Sequence, residues 1–198
     1  LELIAQTAQR WATNPWDVIR SAIPPRVAAV DKAFAPTALR SAISSNQSDV
    51  CFRAFEPHIS AHGQVASIAL DSIRKGSVLI VAPDERDIIA ICAHLQASSA
   101  PVVRIDSGLS RNERYANFLQ SMQEQHQIVI GSRSAVFAPL PSASTIIVFK
   151  ESSPDLYEVR SPAWNARDVA IMRKSIDSAR VILCGFVPSL DVAALIQL

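Results

Sequence analysis

The run Val78–Val81 sets the tightest limit on the fold. It is a short, wholly apolar stretch with Gly76 before it and Pro83 after it. A strand that is apolar on both faces needs helices above and below, the environment of a parallel sheet. The chain repeats this theme. Further strands are predicted at 50–55, 102–105, 127–130, 145–149 and 180–183, with helices at 64–75, 84–97, 111–125, 163–177 and 188–198. In the 64–75 helix, Val65, Ile68, Ala69 and Ile73 fall on the inward face, and Gly76 closes it. Ser110 is the expected cap of the helix that follows it, with Glu113 at the capping-box position. Strands alternating with helices of this length read as an α/β chain.

The first part of the chain has a different pattern. Leu1, Ile4, Ala5, Ala8 and Trp11 share one face of a predicted helix, which Asn14-Pro15 stops. A second helix is predicted over 16–23, with Asp17 in its first turn and Pro24-Pro25 at its end. Residues 26–48 are mixed, and the polar stretch 44–48 is the best linker candidate. The expected organisation is a helical segment with linker over 1–48 and an α/β unit over 49–198. The chain opens at Leu1 in the middle of an amphipathic pattern, which reads as part of a longer protein.

Composition narrows the functional classes. Of 198 residues, 49% are hydrophobic, enough for a sizeable core. The net charge is +1, so the whole molecule offers no electrostatic case for nucleic acid or membrane, and any nucleic-acid surface must be local. No apolar run is long enough to span a bilayer, and no secretory leader pattern opens the chain. The expected location is the cytoplasm, with no membrane partner. Cys51, Cys92 and Cys184 lack metal-ligand spacing and read as reduced, buried side chains. His58 and His62 lie four apart, but nothing near them completes a zinc set.

A nucleotide-driven chain of this layout would carry G-x-x-x-x-G-K-[ST] between its first strand and helix. There, backbone amides wrap the phosphates, Lys reaches the outer ones and Ser or Thr holds magnesium. The corresponding stretch is Glu56-Pro57-His58-Ile59-Ser60-Ala61-His62-Gly63-Gln64. It has a single glycine, and the next lysine is Lys75, three turns too late. A divergent phosphate cradle built from Ser60, His62 and Gly63 is the alternative. The magnesium strand should end in Asp-Glu, yet Thr145-Ile146-Ile147-Val148 runs into Phe149-Lys150-Glu151. Phe149 cannot bind an ion and Lys150 would repel one. Glu151 reads as a solvated carboxylate.

Two other loops suit a phosphodiester backbone. One is Asp106-Ser107-Gly108-Leu109-Ser110, the other Gly131-Ser132-Arg133-Ser134. Both follow strands, where parallel sheets place ligand-binding loops. The hydroxyls of Ser107, Ser132 and Ser134, the Gly108 amide and the Arg133 guanidinium could follow a backbone without reading bases. Equally, Ser107 and Ser110 could serve as caps and Arg133 could pair with a neighbouring acid. Arg167 is a further candidate, with an ion pair to Asp168 or Asp155 as the alternative.

Together with Val78-Leu79-Ile80-Val81-Ala82-Pro83, Ala166-Arg167-Asp168-Val169-Ala170, Arg173 and Pro188-Ser189-Leu190, these strings resemble the PriA family of primosomal replication-restart proteins, superfamily 2 DNA helicases. The most specific is Gly131-Ser132-Arg133-Ser134-Ala135-Val136-Phe137-Ala138-Pro139. The stretch from Trp11 to Pro25 is similar, more weakly, to the end of the family's DNA-binding domain. The resemblance implies a three-layer, RecA-like (P-loop NTPase-like) parallel sheet. Active members carry Gly-Ser-Gly-Lys-Thr where this chain has Ile59 to Gly63, Asp-Glu-Glu-His at Phe149 to Ser152, and Ser-Ala-Thr at Gly185-Phe186-Val187. Their His before Ala-Arg-Asp is Asn165 here. The pattern is similar to a helicase-deficient actinobacterial form. It implies a DNA-binding role in recognising stalled or forked DNA and reloading the replication machinery, without ATP hydrolysis. The implied partners are forked or single-stranded DNA, primosome components and single-strand-binding proteins. No catalytic residue, metal or cofactor is expected within the chain; the family's zinc cysteines would lie outside it. The alternatives are an active ATP-dependent 3'-5' helicase with a divergent nucleotide site, and a scaffold that does not touch DNA.

Overall fold

The computed structural model describes residues 1–35, 49–123, 126–140 and 144–196. The predicted linker at 44–48, and with it the boundary at 48, lies outside the described residues. Six strands form one sheet: β1 (Val50–Ala54), β2 (Val78–Val81), β3 (Val102–Ile105), β4 (Ile128–Gly131), β5 (Thr145–Phe149) and β6 (Arg180–Gly185). Their spatial order is β1-β6-β5-β2-β4-β3, and every pair is parallel. The helices are α1 (Glu2–Arg10), α2 (Pro15–Ala22), α3 (Ala28–Ala33), α4 (Ala61–Ser72), α5 (Glu85–Leu95), α6 (Arg111–Gln120), α7 (Ala166–Asp177) and α8 (Leu190–Ile196).

Alternate strand residues face opposite layers. Val78, Ile80, Ile130, Ile147 and Phe149 pack with Val65 and Ala69 of α4 and Ile88 and Ile91 of α5. Leu79, Val81, Val129, Ile146 and Val148 pack on the other side with Val169 and Ala170 of α7, Ala8 of α1 and Val18 of α2. The result is a three-layer α/β fold, as the apolar runs require. Each such aliphatic side chain contributes about 1.5–3 kcal/mol when fully buried, so the central strands dominate the hydrophobic term. Burial also pushes the Cys184 thiol up to about 12, keeping it protonated.

Several boundaries differ from the sequence reading, each for a local reason. In α1, Leu1 and Ala5 are exposed, and the inward face is Leu3, Ile4, Thr7, Ala8 and Trp11. Thr7 tolerates burial because its hydroxyl donates to Leu3 O at 2.7 Å. Asn14 does more than stop α1. It caps α2 by accepting from the Trp16 amide, with Pro15 at the first helical position. The short α3 falls within the stretch read as mixed, and it docks on α6 through Asp31, which accepts from Tyr115 Oη at 2.5 Å and from Arg26. The α4 helix starts at Ala61 rather than at residue 64, because Ser60 caps it. The capping box of α6 is present, with Ser110 and Glu113 each accepting from the other's backbone amide.

Candidate functional site

The loops singled out from the sequence follow the carboxyl ends of the strands. The turn after β1 is drawn in on itself. Gln64, in the first turn of α4, accepts from the Glu56 amide at 3.0 Å and donates to the carbonyls of Glu56 and Ile59 at 3.1 Å each. Ser60 Oγ accepts from the Gly63 amide and lies 3.3 Å from His94 Nε2 on α5. A Cβ on Gly63 would stand 3.3 Å from the His94 ring, so that ring sits over the helix start. The predicted cradle residues Ser60, His62 and Gly63 are thus a cap and two first-turn helical residues. At this turn the Glu56 amide bonds Gln64, the Ile59 amide bonds the Glu56 carbonyl, and the Gly63 and Gln64 amides bond Ser60.

The end of β5 supplies the other half of the closure. Phe149 is fully buried, its ring 5.5 Å from Phe55 and 5.1 Å from His62. Lys150 has φ 51°, a left-handed backbone that is uncommon for a side-chain-bearing residue. From there it donates to both oxygens of Asp87 on α5, at 2.8 and 2.9 Å. His62 Nε2 donates to the same carboxylate at 2.8 Å. Asp87 is 5% exposed, so this buried negative charge is met by two donors from two different elements. A Lys ammonium therefore stands on the carboxylate at the strand end where a magnesium-binding chain would present acids. Lys150 does not merely repel a cation; it takes the place of one as the counter-charge.

Glu151 departs most from expectation. It is not a solvated carboxylate but is 1% exposed. It accepts from the Ser189 amide at 2.6 Å, from Ser189 Oγ at 2.9 Å and from Arg167 Nη1 at 3.3 Å. Ser189 in turn accepts from the Val192 amide at the start of α8. Arg167 is 8% exposed and also donates to Asp168 at 3.0 Å and Asp191 at 2.9 Å. The ion-pair alternative for Arg167, with Asp168, is the geometry present; its guanidinium ties α7 to β5 and α8.

The polar loops come together. Ser107, Ser132, Arg133 and Ser134 line one cleft of about 650 Å³. Arg133 opens a 3-10 turn, Arg133–Phe137, and donates to Glu158 at 3.1 Å, with its other nitrogen 3.4 Å from Asp155 O. The neighbouring-acid alternative for Arg133 is therefore also present. The Gly108 amide donates to Asp106 Oδ1 at 2.9 Å, so the turn itself uses it. A Cβ on Gly108 would stand 2.1 Å from Glu85 Oε1, so a larger residue there requires the exposed Glu85 side chain to swing aside.

Sequence reasoning passes over Gln64, Asp87 and His94. Asp87 reads as an ordinary acid in the first turn of a helix, where the dipole favours it. Only the pairing of α5 against α4 and β5 shows its second role. Arg20, within the weakly matching stretch Trp11 to Pro25, and Arg160, in a segment with no motif, also line the cleft, and neither is singled out by the sequence.

No family model matches the chain. Individual relatives do. The chain is 26% identical over 220 residues to the probable replication restart protein PriA of Mycobacterium tuberculosis (strain CDC 1551 / Oshkosh), covering 98% of this chain and 34% of that protein. It is 34% identical over 124 residues to the replication restart protein PriA of a Synechocystis species, covering 61% of this chain and 15% of that protein. It is 32% identical over 96 residues to the Bacillus subtilis replication restart protein PriA, covering 48% of this chain and 12% of that protein. The chain spans about one third of the length of the mycobacterial relative. The family resemblance carried by its loops agrees with these matches, and the chain is PriA-like over nearly its whole length.

Proposed function

We propose that the chain serves in replication restart as a DNA-binding unit that works without ATP hydrolysis or helicase activity. In this reading it recognises stalled, forked or single-stranded DNA and helps to reload the replication machinery. Its partners are primosome and single-strand-binding proteins, and it needs no cofactor of its own. The replication role rests on the likeness to proteins named replication restart protein PriA. The loss of fuel use is supported above all by one observation: Lys150 and His62 both bond Asp87, beside a turn that Gln64 holds shut. A triphosphate with magnesium would have to break that network, displace the Lys150 ammonium and free the turn.

DNA contact is assigned to Ser107, Ser132, Arg133 and Ser134, which face one cleft at strand ends. The three serine hydroxyls have no hydrogen-bond partner among the described residues. Fluorescence anisotropy with a labelled fork oligonucleotide tests the reading. Wild type binds weakly and with a clear salt dependence. Arg133→Ala weakens binding uniformly across sequences and lowers the slope of log affinity against log salt by about 0.7–0.9. Absence of binding at low salt contradicts the DNA role, and an unchanged slope makes Arg133 a purely structural partner of Glu158.

A further inference from the structure

The cleft that holds the serines is mixed in charge. Arg20 enters it from α2, Arg133 from the 3-10 turn and Arg160 from the segment before α7, while Asp17, Asp84, Glu85 and Glu158 face the same space. Arg133 is paired with Glu158. The side chains of Arg20 and Arg160 have no ion-pair partner among the described residues. Trp164 also lines the cleft. It is 0% exposed, and its indole Nε1 is buried without an acceptor. A smaller cavity of about 180 Å³ shares Arg20, Ser21 and Ser134 with the cleft and is lined by Arg114, whose Nε is likewise buried without a partner. The two residues whose buried donors lack a partner among the described residues thus each line one of these two neighbouring cavities. Buried polar groups are almost always bonded, and an exception points to a missing partner.

The charge pattern limits what that partner can be. Two unpaired guanidiniums suit a phosphate. Four carboxylates oppose a row of phosphates, but they suit the hydroxyl and amino donors of a sugar and a base. The volume lies within the range of small-molecule sites, about 300–1,000 Å³. We propose that this cleft binds a single nucleotide unit carrying one phosphate, held by Arg20 and Arg160, with Trp164 Nε1 donating to its sugar or base. The unit is either a free mononucleotide or one residue of a single strand. In the second case the inference rests on the DNA-binding reading and makes α2 the second wall of that site. The cleft is separate from the closed turn after β1: none of Ser60, His62, Phe149 or Lys150 lines it.

The test is isothermal titration of the 198-residue chain with dAMP, with inorganic phosphate and with a short single-stranded oligonucleotide. Wild type is compared with Arg20→Ala/Arg160→Ala and with Trp164→Phe, each checked for its melting temperature. Arg20 and Arg160 are exposed, so the double variant should fold as wild type does. The double variant is expected to weaken dAMP or oligonucleotide binding by about tenfold or more. It should also lower the oligonucleotide's salt slope by about 0.7, the share of the one phosphate charge left unneutralised. Trp164→Phe should weaken binding a few-fold and leave the slope unchanged. Binding of dAMP identifies a free nucleotide as a ligand; binding of the oligonucleotide alone identifies a strand. The proposal is overturned if none of the three probes binds, if the double variant binds like wild type, or if inorganic phosphate binds as tightly as dAMP. Oligonucleotide binding that responds to Arg133→Ala but not to the double variant sinks this inference and leaves the DNA reading standing. Binding of dAMP that depends on the two arginines, with no binding of fork DNA, does the reverse.

Discussion

Arg173→Met should lower the stability of the folded chain by about 3–5 kcal/mol, the usual cost of removing one partner from a buried charged network. Arg173 is 3% exposed. It donates to Val136 O and Ala138 O at 2.9 Å each and to Asp177 at 2.6 Å. One guanidinium thus fastens α7 to the 3-10 turn that carries Arg133. Burial pushes its pKa below the ordinary value, opposed by the Asp177 carboxylate, so the pair is what keeps the charge in place. Removing the charge leaves two buried carbonyls without donors, each a further penalty. For a chain of this size the melting temperature should fall by roughly 10 °C, at about 2–4 °C per kcal/mol. Arg173→Lys should recover only part of the loss, because an ammonium lacks the planar fork that meets these acceptors at once. Thermal and urea melts of the two variants measure this. A loss below about 1 kcal/mol for the Met variant would mean that the solvent-facing Asp177 end, not the carbonyl clamp, carries the contact.

The second large effect belongs to Glu151. Glu151→Gln keeps the volume and replaces one carboxylate oxygen with an NH2 group. That group must then face either Arg167 Nη1 or the Ser189 amide, both of which are donors. Setting donor against donor in a buried site, with the loss of the charge that Arg167 pairs with, should cost about 2–4 kcal/mol. The effect should also be local. Ser189 holds the start of α8, so amide exchange over Leu190–Ile196 should accelerate before the central strands respond. Exchange that changes equally across β2 and β5 would mean that Glu151 supports the core as a whole, not the α8 junction.

These two residues show how far the sequence can be read. The sheet is legible because Val78–Val81 and Thr145–Phe149 are apolar on both faces, and burial on two sides leaves few other arrangements. The capping box at Ser110 is legible because its partners lie three residues apart. The bonding network at the turn after β1 is only half legible. A glycine-poor turn and the residues Phe149 and Lys150 depart from the usual phosphate and magnesium ligands, but they do not say which side chains bond there instead. Asp87 and His62 are 25 residues apart, and Asp87 and Lys150 are 63 apart. No local pattern links them, and only the packing of α4 and α5 on one sheet face does. Glu151 defeats the sequence reading for a related reason. A carboxylate after a strand end usually meets solvent, but here Ser189 and Arg167 come from elements later in the chain and cover it. The cleft cannot be read as a unit at all, since its walls come from α2, three strand ends and the segment before α7.

In the proposed function, the turn after β1 and the end of β5 exclude a magnesium-bound triphosphate. The most direct measurement is calorimetric titration of ATP, with and without magnesium, into the Arg20→Ala/Arg160→Ala chain, where the separate polar cleft is disabled. No saturable heat that depends on magnesium is expected, because Lys150 already neutralises Asp87 and Gln64 already holds the turn. Saturable, magnesium-dependent binding that vanishes on Gly63→Val would contradict it.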